Sequence, residues 1–507
     1  MNQRLPRQSV FHTLLSALTR KAPEQARQQV KSPRHPTLDD RDDWHSYWKE
    51  QGQAWRTEPE IDLKRQADLA RRRVIVPDIK KGIYPFKGMK LSRADVEWLL
   101  ATHENGCGPV DGSDETQYGR QGLDLRGANL RSVDLRRLPL AGMQGGLTQL
   151  ATEEQCEAAA AHLENVNLGE AHLERASFLN AHMEGANLSQ ANLREANLTC
   201  AHLEEASLHD AHLEGASFYV AHLERAGLIG AYMERADLRV ANLEGAFLYR
   251  AHLEGANLRS AHLERTHLRE AHLERAILSL AYLDEAFLGD IILGDEKHIG
   301  PYLADVRWGI ANLAVVKWSQ VTVLGDEYEA RQKKRDGRMK ERHIRLSEYE
   351  EAVRANRQLA IVLQAQGLNR DAIRFAYRAQ VLEKTVFRLQ MLQADIKLRW
   401  RVQSCGAWLF SWFLFLLAGY GYKPGRSFLA YLLVISTFMV LYLLLDPHLA
   451  WYEAIVVSMT AFHGRGFSPS TFSLGDPLSI ASAIEAFVGL IIEVTFIATL
   501  TRRFFGQ

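Results

Sequence analysis

Cysteine is scarce. The chain has 4 in 507 residues, and Cys107, Cys156, Cys200 and Cys405 stand far apart. No C-x-x-C pair occurs, which argues against a zinc ribbon and against a disulfide framework. Net charge is lacking too, since 61 Lys plus Arg face 61 Asp plus Glu. No global field draws such a chain to nucleic acid, so no nucleic-acid partner is expected. The start, Met1-Asn-Gln-Arg-Leu-Pro-Arg, runs into no proper apolar segment, so no cleavable leader is expected. A phosphate loop, a nucleophile elbow and a clustered triad are all missing. The expectation is a non-enzyme with no cofactor and no bound metal.

What is abundant is a five-residue unit. From Ala161 to Asp290 the chain reads Ala161-His-Leu-Glu-Asn, Ala171-His-Leu-Glu-Arg, Ala181-His-Met-Glu-Gly and onward. Unit centres are Leu163, Leu168, Leu173, Phe178, Met183 and Leu188, continuing to Leu288 and Leu293. A small residue, nearly always Ala, stands two positions before each centre. A five-residue step turns an apolar stripe away from itself on an α-helix. Strand alternation has a period of 2 and fits no better. One large and one small apolar residue per short unit means a solenoid with a shared core.

On these residues the stretch resembles the pentapeptide-repeat proteins, whose motif is Ala-(Asp/Asn)-Leu-x-x. The resemblance implies a right-handed quadrilateral β-helix with four units per coil, Ala and Leu inward and the rest toward water. It covers residues 123–323, broken at 142–160 by a loop or short helix after which the register restarts. It also brings one functional option: some members mimic DNA and bind type II topoisomerases. The array is acidic, about twenty Asp/Glu against about ten Arg, but the Arg are interleaved and dilute the field.

With the coil of about twenty residues that the resemblance implies, the His-Leu-Glu units fall on two opposite faces. One carries His162, His182, His202, His222 and His262. The other carries His172, His212, His252 and His272. Coils spaced like strands, ~4.8 Å apart, make each row a stacked ladder. Zinc would need imidazoles that converge, and outward rows do not. Solvated polar ladders are the plain reading, and a pH-responsive surface is the sharper one.

Around the array the grammar changes. Residues 1–43 read as a basic disordered tail with one amphipathic run, Val10-Phe-His-Thr-Leu-Leu-Ser-Ala-Leu, that could lie on a membrane surface. Residues 44–122, with Trp44, Trp48 and Trp55 and a Ser92/Asp95 capping box, read as an N-terminal cap on the solenoid. The His103 to Asp114 segment is an ordinary Gly-rich loop. Trp308 and Trp318 keep the five-step and could plug the last coil. Residues 325–400 read as a helical neck: a charged, solvated helix over 327–345, then a tetratricopeptide-like hairpin from Ser347 to Arg388. Leu382, Val386, Leu389 and Ile396 suit either a coiled neck between subunits or a packed face.

The last hundred residues point to a bilayer. Residues 427–445 and 478–500 are long and apolar enough to span it. Residues 406–420, with Trp408 and Trp412, read as an interfacial helix, and the uncharged stretch from Gln403 to Tyr422 leaves a third span open. Basic residues Lys397, Arg399, Arg401, Lys423, Arg426, Arg502 and Arg503 flank the two spans, which places both termini in the cytosol. Between the spans lies 451–469: a short helix, then His463-Gly-Arg-Gly-Phe. This layout resembles the two-helix pore domain of potassium-type channels, whose filter reads Thr-Val-Gly-Tyr-Gly-Asp. Gly464 and Gly466 match its glycines. Phe462, His463, Arg465 and Phe467 take the Thr, Val, Tyr and Asp positions, so potassium selectivity is not implied. Gly489 sits where such channels bend.

Glu485, Gly489 and Glu493 share one helix face. Carboxylates at membrane depth are candidate pore-lining or gating groups, and an Arg465–Glu485 pair is one expectation. The whole reading is a bacterial inner-membrane channel-like protein, a homotetramer. It would hold the lipid bilayer and a permeating ion as partners and offer a cytosolic protein its β-helix. The alternative is a membrane-anchored adaptor or DNA-mimic that conducts nothing.

Overall fold

The computed structural model describes residues 41–147, 151–334, 337–393, 398–464 and 476–504. The tail expected over 1–43 lies outside them, save for three residues of the first helix. The chain divides into two units, Met1–Pro59 and Glu60–Gln507. The cap expected over 44–122 is therefore not one body. The first unit holds α1 (Arg41–Glu50), where Trp44 and Trp48 are buried and stack at 6.0 Å. Arg56 lies 3.5 Å over the Trp48 ring.

The second unit begins with α2 (Leu63–Arg73) and α3 (Arg93–Ala101). The Ser92/Asp95 capping box opens α3 as its spacing predicts. Just before it, residues 88–91 pair with the first coil. Gly88 N–H donates to Gly127 O at 2.7 Å and Leu91 N–H to Asn129 O at 3.1 Å. That strip covers backbone groups an open solenoid end would expose.

The array is a four-sided coil. Parallel single-residue bridges join residues 20 apart on each side: His162 to His182, Asn167 to Asn187, His172 to Asn192 and Ser177 to Asn197. No longer strand forms among the described residues, because the chain turns after every unit. Each turn puts a residue in the left-handed region, such as Asn165 (φ 55), Glu170 (φ 57) and Arg175 (φ 59). Inside, Ala and Leu, Met or Phe columns are nearly all sealed, with Phe178 and Phe218 at 0% exposure. At about 25 cal/mol per Å² of apolar surface, these columns dominate the stability.

Two departures interrupt the period. Helix α4 (Glu153–Ala159) forms in the break at 142–160, with its own Thr152/Gln155 capping box. It buries Cys156 and Ala159 against Tyr84, Leu147 and Leu179. Later, pairing lengthens from 20 to 25, as in Ile277 to Tyr302. A turn in which Asp295 caps the N–H groups of Lys297 and Ile299 absorbs the difference. Trp308 and Trp318 meet edge to face at 6.3 Å, and Trp318 meets Phe375 of the next domain at 5.9 Å.

The neck consists of α5 (Gly325–Arg331), α6 (Arg342–Ala365) and α7 (Asn369–Met391). The solvated helix expected over 327–345 is corrected. The stretch holds the end of α5 and the first turn of α6 rather than one helix, and Glu327, like Asp326 before it, is buried. Asp326 accepts from Leu303 N–H at 2.7 Å, and Glu327 takes a bidentate Arg378 at 2.8 and 2.8 Å. Both tie neck to β-helix or hairpin, which excludes solvent. Leu382, Val386 and Leu389 pack on Tyr349, Ala352 and Val353 of α6. They are a packed face within one chain, not a seam between subunits. Ile396 lies outside the described residues.

Four apolar helices follow: α8 (Leu398–Ala418), α9 (Pro424–Leu445), α10 (Trp451–Phe462) and α11 (Pro477–Phe504). Three are long and apolar enough to cross a membrane: Arg399–Ala418, Pro424–Leu445 and Pro477–Thr501. The short interfacial helix expected at 406–420 is thus part of a longer one. It runs antiparallel to α7, from Ser404 beside Gln390, through Trp412 under Lys384, to Tyr420 beside Tyr377.

Candidate functional site: the histidine ladders and the C-terminal bundle

The ladders form because each His and its Glu belong to one unit, and each unit repeats one coil on. Rings of His162, His182, His202 and His222 stack at 5.2, 5.2 and 4.9 Å. On the opposite face His212, Tyr232, His252 and His272 stack at 4.8, 5.0 and 4.7 Å. His262 stacks on Tyr282 at 4.5 Å instead of on a histidine. His172 is followed one coil on by Asn192, so it starts no stack. A third row, Phe247, His267 and Phe287, runs on another side at 4.9 and 4.5 Å. Its signal in the sequence is three aromatics twenty apart, hidden because only one is a histidine.

Each Nδ1 faces the Glu two residues on, from 3.1 Å at His172 to 3.5 Å at His272. The second oxygen of many of these carboxylates, including Glu174, Glu204, Glu254 and Glu274, is buried without a hydrogen bond. Charge then depends on neighbours. Burial works against ionising Glu164, yet Arg131, the backbone and His162 outweigh it and hold the group at about 2. The Glu174 carboxylate raises His172 against the opposing effect of burial. Burial, and then the charge of Glu254, raises Glu274.

His252, Glu254 and His272 bring their ligand atoms within 4.8 Å of one another, as do Glu184, His202 and Glu204. The geometry of the two imidazoles in the first group does not fit one ion. An imidazole lone pair lies in the ring plane, and the His252 and His272 planes are 15° from parallel at 4.7 Å. Such planes do not meet at one ion about 2.1 Å from each nitrogen. His252 and His272 stack rather than chelate.

In the bundle, three helices meet at one carboxylate. Glu485 of α11 is 0% exposed. Tyr442 of α9 donates to its Oε2 at 2.7 Å, and Ser458 of α10 donates to its Oε1. One turn on, a Cβ at Gly489 would stand 2.1 Å from the Phe462 carbonyl oxygen. Another turn on, Glu493 lies 3.3 Å from His463 Nε2. The expectation of one face holds, but that face is where α10 docks. Among the described residues, Glu485 lines no open cavity, because Tyr442 and Ser458 cover it. Gly489 marks a close approach of backbone to backbone. Phe462, His463 and Gly464 end α10. Arg465, Gly466 and Phe467, and with them the Arg465–Glu485 pair, lie outside the described residues.

Comparison with known proteins addresses the array alone. Residues 159–194, 186–225, 216–255 and 251–290 match a family model described as "Pentapeptide repeats (8 copies)". No curated protein matches the chain. Among solved structures, HetL from the cyanobacterium Nostoc sp. strain PCC 7120 is similar at 25% identity. It is a pentapeptide repeat protein involved in heterocyst differentiation regulation, with 40% of this chain and 95% of that one covered, and a TM-score of 0.17. QnrB1, a plasmid-mediated fluoroquinolone resistance protein, matches at 15% identity over 40% of this chain and 91% of that one, with a TM-score of 0.24. A pentapeptide repeat protein of the Arabidopsis thaliana thylakoid lumen matches at 25% identity over 18% of this chain and 66% of that one, with a TM-score of 0.11.

Proposed function

We propose that this chain, a pentapeptide-repeat protein across residues 159–290, is a membrane-embedded docking platform that acts by binding rather than by catalysis. The observation that carries it is the continuous joint from coil to bundle. Leu303 is capped by Asp326, Glu327 is clamped by Arg378 of α7, and α7 lies along α8. The rigid coil is fastened directly to apolar helices. Exposed Phe428, Leu433, Phe487, Leu490 and Val494 on those helices would be costly in water and are satisfied by lipid. A partner protein would meet the stacked imidazole–carboxylate faces. The acidic surface keeps a DNA-mimic that binds a type II topoisomerase within this class. Carbonate extraction of cell membranes tests the anchoring: recovery of the full chain in the soluble fraction would end it.

A pore is the second reading, favoured by α10. It lies between α9 and α11 and ends on the Glu493 face of α11, the layout of a span, a re-entrant helix and a second span. Under this reading the chain is a bacterial inner-membrane homotetramer that passes an ion past Glu493. Recordings from planar bilayers carrying purified protein test it. Conductance altered by Glu493→Gln supports a pore, and silence at every potential leaves the anchor.

A further inference from the structure

Two cations share one aromatic ring at the head of an apolar cavity. The cavity, about 620 Å³, opens between α8, α9 and α11. Its walls include Phe415, Leu417, Leu433, Val488 and Ile492, and Arg426 is the one charged residue among them. Arg426 sits 4.5 Å over Phe415, and Lys384 of α7 sits 4.1 Å over the same ring. Among the described residues, neither has a carboxylate within the 4.0 Å of an ion pair. Elsewhere this chain pairs its cations freely: Arg357 meets Glu383 at 2.9 Å, next door to Lys384.

Like charges held together in a half-buried place repel unless an anion joins them. Burial, and then the charge of Arg426, lowers the Lys384 ammonium. The wall below is apolar and long enough for a hydrocarbon chain. A ligand that answers both ends is an amphiphile with a negative head.

The depth agrees. Helix α8 is apolar enough to span, but α7, with Lys384 and Arg388, lies along it. A polar helix on its flank keeps α8 out of the hydrocarbon and at the level of the headgroups. We propose that the junction of α7, α8, α9 and α11 is a binding site for one anionic phospholipid. Its phosphate sits between Lys384 and Arg426, and an acyl chain lies along Leu433, Val488 and Ile492. The site rests on the membrane-embedded reading. It would make attachment of the neck depend on the charge of the leaflet.

The test uses the full chain in neutral detergent, offered equal amounts of dioleoylphosphatidylglycerol and dioleoylphosphatidylcholine. Retained lipid is read by native mass spectrometry. The expected result is about a tenfold preference for phosphatidylglycerol, near 1.4 kcal/mol. The K384Q/R426Q double variant brings the ratio near one, while R426K keeps most of it. L433W, which fills the cavity and leaves both cations, lowers retention of both lipids and stands even if the double variant misfolds. A ratio near one in the parent chain, or an unchanged ratio in the double variant, overturns the site. So does loss of the preference in millimolar inorganic phosphate, which would mark a free-phosphate site. Carbonate-soluble protein would overturn the membrane reading itself; membrane-bound protein with no lipid preference overturns this site alone.

Discussion

The carbonyl oxygen of Phe462 stands 2.1 Å from where a Cβ on Gly489 would be. The last turn of α10 therefore rests on the backbone of α11, and only glycine lets it. Gly489→Ala is expected to push α10 away at a cost of about 1–3 kcal/mol, the range for overpacking a tight contact. Thermal melts of the purified protein in detergent check this. A variant melting with the parent would show that α10 does not sit there.

Glu485 is the junction of α9, α10 and α11 through Tyr442 and Ser458. Glu485→Gln keeps an acceptor for one hydroxyl and is expected to be mild. Glu485→Leu removes the shared acceptor, leaving Ser458 only the Ile435 carbonyl oxygen at 3.1 Å, and is expected to cost about 1–3 kcal/mol. The ordering of the two melts is the measurement, and equal melts would refute the junction.

Asp326 links pH to the joint between coil and neck. Burial pushes its carboxyl up to about 7, from an ordinary value of 3.8, against the N–H groups of Leu303 and Ala304. Between those values the folded chain binds more protons than the unfolded one. Stability therefore falls as pH rises from 3.8 to about 7, by at most about 1.4 kcal/mol per pH unit, and levels off above. Asp326→Asn is expected to flatten that slope. Denaturant melts of parent and variant across this range decide it.

Val240 sits at φ 58 in a turn of the array. A β-branched residue is poorly suited to the left-handed region, whereas Asn is often found there. Val240→Asn is expected to stabilise the β-helix by about 1 kcal/mol. The side chain is 43% exposed, so little packing is lost. A lower melting temperature for the variant would contradict the strain.

Much of this was legible beforehand, and particular residues show why. Leu163 and Phe178 announce their own burial because the unit that seals them is five residues long and local. The His162 to His222 stack follows from the same arithmetic once a coil is four units. The lengthened turn capped by Asp295 does not show, since it breaks the period without altering the composition. Asp326 and Glu327 look like solvated charge, and only their partners Leu303 and Arg378, 23 and 51 residues away, reveal otherwise. Residues 406–420 read as a short interfacial piece because Arg399 and Arg401 mask how far α8 extends.

The sequence by itself determined the coil, its period, its inward columns and the face shared by Glu485, Gly489 and Glu493, because each depends on spacing along one segment. Only the tertiary structure decided what stands opposite that face, and which ring Lys384 and Arg426 share. A helix period says which side chains point together, but the neighbour they meet is set by packing between segments that carry no common spacing.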